Sequence, residues 1–272
     1  MSSYLVTGAS RGIGFEFLRK LSEDPNNVVV GLVRDKASTD KKVLAEINRP
    51  NIHIVQADLV DYDSLKASFD VVAPIVNGSL DYIIANAALI SQFSSYDPIG
   101  TLGQKDPKGL EADFLESFKV NVIGNVHLFN IYLPLILKGR AKKVMTISSG
   151  MADLGLIRDY KVALAAPYSV SKAGINTAVG KFHAQYADQG VLFFSICPGV
   201  VSTGLYDDAT EEQMKAVAEQ GAAFQRYAPG FKGAATTAES VDQVLAQLYK
   251  ASLEGGYGGD FISHLGKGEK WL

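Results

Sequence analysis

The chain predicts a doubly wound α/β fold, a parallel sheet of about seven strands with helices on both faces. Two observations predict it. Six short apolar runs recur along the sequence, too short for helices and lacking the polar alternation of a one-sided strand. Segments of helical length separate them, and a β-α-β-α alternation closes as a parallel sheet through right-handed crossovers. The chain has 272 residues and no repeat, low-complexity tract or linker, so residues 1–272 are expected to form one domain.

The elements follow in order. The first strand is residues 4–7, followed by a glycine-rich turn and a helical pattern over 13–22. Residues 28–33 and 52–56 are the second and third strands, and 64–76 reads as a helix. Residues 82–85 form the fourth strand, and 114–137 reads as one long helical segment. Its apolar part, 126–137, contains Asn130 and Pro134 and is too short and too polar to span a bilayer. Residues 143–147 and 191–196 are the remaining strand patterns. Three segments read as loops: 89–108, 150–167 and 204–233, the last with a short helical pattern over 210–224. Each follows a strand, so all three should gather at the carboxyl edge of the sheet, where open α/β sheets bind ligands. Phe93, Met151, Tyr160 and Tyr206 lie in them, as pocket-lining candidates or as ordinary loop packing.

Composition narrows the function. The net charge of −3 offers no basic stripe for nucleic acid and no polybasic membrane anchor. A single cysteine, Cys197, rules out an internal disulfide and suits a reducing compartment. Residues 1–5 carry no basic segment or cleavage site, so a cytoplasmic protein is expected. His53, His127, His183 and His264 are scattered without metal-ligand spacing, and no metal is expected. No Gly-x-Ser-x-Gly elbow supports a hydrolase.

The first strand runs into Gly8-Ala9-Ser10-Arg11-Gly12-Ile13-Gly14 and then a helix. Strand, glycine turn and helix together suit a pyrophosphate: the backbone can approach closely, and the helix start offers free N–H groups. A tight turn without a ligand would look similar, but its place after the first strand favours the cofactor reading. The second strand ends at Val33-Arg34, where an NAD site wants an acidic residue for the ribose. Arg34 and Arg11 could clamp a 2′-phosphate instead, which favours NADP(H), although Asp35 stands next door.

Tyr168-Ser169-Val170-Ser171-Lys172 puts a phenol and an ammonium on one helix face. A neighbouring cation lowers a tyrosine pKa and suits it to proton transfer. With 12 tyrosines and 19 lysines, roughly one such spacing arises by chance, so context must decide. Tyr62 and Lys66 share the spacing but precede the central strands and have no serine partner; they read as the start of a surface helix. Only Tyr168 follows a strand ending in hydroxyls, Ser148 and Ser149, and precedes a strand ending in Cys197-Pro198-Gly199.

In these motifs and their order the chain resembles the short-chain dehydrogenase/reductase family, with its Rossmann-type fold, over nearly its whole length. Gly8, Gly12 and Gly14 match the glycine loop, Asp58 with Leu59 the adenine site, and Asn86-Ala87 the signature after the fourth strand. Ala85 and Ala88 depart from that signature, where the family has Asn and Gly. The resemblance implies roles. Tyr168 would be the general acid/base, and Lys172 would lower its pKa and hold the ribose. Ser149 would bind the substrate oxygen, and Asn121 would support a water linking Lys172 to solvent. Pro198, Gly199, Val201 and Thr203 would embrace the nicotinamide, which carries the hydride. Ser149 lies 19 residues before Tyr168, about six more than the family spacing, which a loop can absorb.

The resemblance implies a small carbonyl or alcohol substrate, with reduction of a ketone or aldehyde as the leading reading. The Gly258–Trp271 ending resembles sniffer-like and C-factor-like carbonyl reductases and norsolorinic acid ketoreductase, which points to biosynthetic tailoring. The alternative is a dinucleotide-binding redox sensor without catalysis; retention of Ser149, Tyr168 and Lys172 argues against it. A homodimer or homotetramer is what the family commonly forms.

Overall fold

The computed structural model describes residues 1–272. Seven parallel strands form one sheet in the order β3-β2-β1-β4-β5-β6-β7. They are β1 Ser3–Thr7, β2 Val28–Val33, β3 Ile52–Gln56, β4 Tyr82–Ala85, β5 Lys143–Ile147, β6 Leu192–Cys197 and β7 Phe261–Ser263. The first half is wound by α1 Gly12–Leu21, α2 Lys36–Glu46 and α3 Tyr62–Ile75. Then come α4 Ile99–Lys105, α5 Pro107–Phe118, α6 Gly124–Ile136, α7 Leu154–Tyr160, α8 Ala166–Tyr186, α9 Glu211–Tyr227 and α10 Thr237–Lys250. The winding reverses between β1 and β4, which opens a crevice at their carboxyl ends.

Successive strand residues point to opposite faces, and both faces are apolar. Val6, Ile84 and Phe194 join a core with Phe17 and Leu18 of α1 and Val244 and Leu248 of α10. Leu5, Ile83 and Phe193 join another with Leu65 of α3, Phe129 and Tyr132 of α6 and Ile175 of α8. Burial on both faces is why the strands read as unbroken apolar runs. No helix is long and apolar enough to cross a membrane.

The loop expectations need correction. Residues 89–108 hold α4 and the start of α5, which Asp106 caps by accepting the Gly109 N–H at 2.9 Å. The helix expected over 114–137 therefore starts at Pro107, and its run is widened by a π turn, Lys119–Ile123. Residues 150–167 form a 3-10 turn, Gly150–Ala152, and α7, capped by Asp153. The pattern expected over 210–224 becomes α9, started by a reciprocal Thr210–Gln213 capping box and extended to Tyr227. Leu156 and Val162 of the first segment pack on Ala223 and Phe224 of the second as a small third core.

At the amino edge, buried Asp81 ties three strands together. Its carboxylate accepts the N–H groups of Ser3, Arg140 and Ala141 at 3.0, 2.8 and 3.3 Å. Asp81→Ala strands these donors and should cost about 2–3 kcal/mol, read as a lower denaturation midpoint at unchanged slope.

Candidate active site

The crevice is built around a turn whose glycines resist side chains. Gly8 and Gly12 have φ of 67° and 56°. A Cβ on Gly14 would lie 2.2 Å from the Gly8 oxygen, so α1 presses directly on the turn. Thr7 Oγ1, which sequence reading missed, accepts the N–H groups of Asn86 (3.1 Å) and Ala87 (3.0 Å). Asn86 Nδ2 returns a bond to the Thr7 oxygen at 3.0 Å. Asn86 and Ala87 thus bolt the end of β4 to the turn.

Asp35, Asp61, Asp106, Thr210 and Thr236 cap α2, α3, α5, α9 and α10, whereas α1 has no side-chain cap. The N–H groups of its first turn, beside Ser10, Gly12 and Ile13, suit an anion. Arg11 and Arg34 are exposed at the same edge, and neither is ion-paired. Lys42 adds a third cation that sequence reading missed: its Nζ lies 3.5 Å from the Ser10 oxygen and 4.2 Å from the Phe15 ring centre. Asp58 closes the end of β3, accepting the Val60 N–H at 3.1 Å, and the Leu59 backbone lies against Gly124 at the start of α6. Opposite, Thr203 faces Gly12, with its Cγ2 3.4 Å from where a Cβ would stand. Gly199 (φ 82°) lies against the His264 ring, the Pro198 oxygen accepts from Ser240 Oγ at 2.8 Å, and Val201 bridges to Ala235.

The first turns of α8 bring Tyr168 and Lys172, both buried, to the end of β5. Burial pushes the Tyr168 phenol above the usual tyrosine range, and the adjacent Ser149 hydroxyl pulls it back down. Burial lowers Lys172 to about 8. Its Nζ donates to the Ile147 oxygen at 2.7 Å and lies 5.5 Å from the Tyr168 ring centre. In this geometry the Ser149 hydroxyl is the neighbour that most lowers the phenol. Asn121 sits in the π turn, and its side chain exchanges bonds with Leu89, accepting N–H at 2.7 Å and donating to O at 2.9 Å. It also donates to Ser171 Oγ at 2.9 Å, so it fastens the loop after β4 to α8 beside Lys172.

Above Tyr168 the loops after β4 and β6 join. Gln92 Nε2 donates to the Leu205 oxygen at 2.8 Å, Tyr96 Oη donates to Gln92 Oε1 at 2.7 Å, and the Tyr96 and Tyr206 rings meet edge to face. Tyr206 stands close enough to Tyr168 to oppose ionisation of its phenol. Of the four pocket candidates, Tyr206 alone has this relation. Tyr160 packs on Tyr227, Met151 joins the third core, and Phe93 is exposed beside Gly109. Tyr62 is exposed at the start of α3, where its ring meets His127 edge to face. Cys197 is buried, pushed up to about 11 by that burial, and accepts the Gly150 N–H through sulfur at 3.1 Å. His183 packs against Gly258, and no group of His, Cys, Asp and Glu could hold a metal ion.

The chain is similar to known proteins over its length. The family description "short chain dehydrogenase" matches residues 3–215. Short chain dehydrogenase virK of Hypocrea virens is 55% identical over 273 residues, covering 100% of both chains. Among solved structures, the NADPH-bound carbonyl reductase from chicken fatty liver superposes with a TM-score of 0.77 at 25% identity, covering 100% of this chain and 99% of that one. The carbonyl reductase Sniffer of D. melanogaster superposes at 0.75 with 20% identity, over 98% of both chains, a likeness of fold.

Proposed function

The chain belongs to the short-chain dehydrogenase family of oxidoreductases, and we propose that it is an NADPH-dependent reductase of a ketone or aldehyde. One observation carries the reading: a buried phenol, a hydroxyl and a buried ammonium meet at the carboxyl edge of the sheet, beside a turn suited to a dinucleotide. The residues fit that cofactor. Gly8 and Gly14 leave no room for a side chain, Gly12 has a φ of 56°, and the uncapped start of α1 would receive the pyrophosphate. Asp58 and Leu59 would border the adenine. Asn86 and Ala87 would hold the wall of the ribose pocket, and Pro198, Gly199, Val201 and Thr203 the carboxamide wall. When bound, the nicotinamide supplies the hydride.

The chain's own groups do the rest. Ser149 Oγ and Tyr168 Oη would both donate hydrogen bonds to the substrate oxygen, and Tyr168 would pass its proton as the alcohol forms. Lys172 would hold the ribose and stabilise the phenolate that Tyr168 leaves behind. Asn121 would fix the loop and helix that frame them. Tyr96 and Tyr206 give the mouth an aromatic wall, which suits a flat or alicyclic carbonyl compound. The retained acid/base set favours an enzyme over a sensor, and one sheet running through the chain favours a single domain.

The choice of NADPH rests on Asp35. Its carboxylate, which could have served an NAD ribose, is drawn by Oδ1 onto the start of α2, accepting the Ser38 N–H at 3.0 Å. Arg11 and Arg34 are left for a 2′-phosphate. In titrations followed by nicotinamide fluorescence, the wild type should prefer NADPH. Arg11→Ala with Arg34→Ala should weaken NADPH about 100-fold and NADH little. Equal weakening of both nucleotides would refute the 2′-phosphate role, and binding of neither by the wild type would sink the whole reading. Turnover is tested with NADPH and a panel of ketones, by loss of nicotinamide absorbance.

A further inference from the structure

We propose that Trp271 is a positioning residue for Ser149, an inference that rests on the reductase reading above. Ser149 lies at the end of β5, and its hydroxyl oxygen accepts the Met151 N–H at 3.2 Å. The Gly150–Ala152 turn therefore sets where that hydroxyl points. Trp271 holds the turn from two sides. Its indole N–H donates to Asp153 Oδ2 at 3.0 Å, while Asp153 Oδ1 accepts the Leu156 N–H at 2.9 Å and starts α7. One carboxylate thus joins the turn, α7 and the indole. The same side chain also lies flush on Gly150, whose Cβ, were there one, would stand 2.7 Å from Trp271 Cβ.

Trp271 is itself anchored. Its ring stacks on Phe261 of β7, with centroids 4.2 Å apart and planes 12° from parallel. Its backbone N–H donates to Tyr227 Oη of α9 at 3.1 Å. The anchors belong to β7 and α9, remote from Ser149 in sequence. Apart from Trp271, the turn is held by its own residues, by the Gly150–Cys197 contact and by Met151 packing into the third core. Trp271 makes no hydrogen bond to Tyr168 or Lys172; its backbone oxygen accepts from Cys197 Sγ at 3.9 Å, a contact that Trp271→Phe leaves in place, so the indole acts through Asp153 and Gly150 on the serine turn. A misplacement of about 1 Å at a catalytic group can cost two orders of magnitude, and a loosened turn should cost less.

Trp271→Phe keeps the stacking on Phe261 and deletes the donor to Asp153. We expect kcat for a reducible ketone to fall about tenfold with the NADPH dissociation constant unchanged. In a Ser149→Ala background the same substitution should change kcat less than about twofold, because the group it positions is gone. A reading independent of turnover is amide hydrogen exchange with mass detection. The peptide over residues 149–156 should exchange about tenfold faster in Trp271→Phe, with the α8 peptide unchanged. A full loss of kcat persisting in the Ser149→Ala background would overturn the proposal, as would unaltered exchange over 149–156. If the wild type reduces no ketone, the reductase reading fails, and the exchange comparison alone still decides whether Trp271 holds the serine turn.

Discussion

Tyr168→Phe is expected to lower turnover by about 10³-fold while leaving NADPH binding nearly unchanged. The substitution removes a single oxygen. Within the protein the phenol interacts with Ser149 and supports no strand, cap or turn. Tyr132 is a useful contrast, since its hydroxyl lies 2.6 Å from Ser68 Oγ and joins α6 to α3. Loss of the Tyr168 hydroxyl should therefore cost chemistry and not folding. Burial keeps the phenol protonated into the alkaline range, the form that reduction needs. Wild-type kcat/KM should show no fall set by the phenol up to about pH 10, the ordinary tyrosine value, and a fall that Tyr168→Phe removes below that pH would contradict its burial. Steady-state rates across pH, with nucleotide affinity and thermal midpoint measured on the same preparations, check all three. A loss below about tenfold would remove Tyr168 from the role of general acid.

The sequence showed most clearly those features whose cause is local or periodic. The strands of the sheet were legible to within a residue at the ends compared, because burial on both faces enforces continuous apolar runs. The seventh, Phe261–Ser263, is three residues long and carries no such run. The starts of α5 and α7 were read as loop because Asp106 and Asp153 look like ordinary loop polarity until the N–H groups they accept are placed. The π turn at Asn121 was invisible for another reason: its neighbours have ordinary helical character, and the turn is distinguished by its hydrogen-bond register. Spacing put Tyr168 and Lys172 on one helix face, but it could not say where the ammonium points. A buried ammonium needs an acceptor, and the Ile147 oxygen at the end of β5 is within reach. Thr7 and Lys42 acquire their roles from β4 and α1 and carry no signature of their own.

Lys172→Met should abolish turnover and, without added nucleotide, make the protein more stable. Lys172 is buried, and burial lowers it from 10.5 to about 8. Between these values the unfolded chain binds a proton at this site that the folded chain does not, so stability rises with pH across that window. Below about pH 8 both states are protonated and the folded protein bears the whole cost of burying an ammonium. A shift of this size corresponds to about 3 kcal/mol at pH 7, and the lost bond to the Ile147 oxygen returns about 1 kcal/mol. A net gain of about 2 kcal/mol should raise the thermal midpoint by about 5 °C. The advantage of Lys172→Met should shrink as pH rises from 7 toward 10, because the wild type sheds its cost as Lys172 deprotonates. Saturating NADPH should narrow the gap from the other side, since the ammonium gains a partner in the wild type and none in the variant. Thermal melts at pH 7 and 9.5, with and without NADPH, distinguish this account from simple loss of a packed side chain, which would lower the midpoint at every pH. A residue kept at such an energetic cost, in a helix that Leu or Met would suit as well, fits the role proposed for it beside Tyr168 and the ribose.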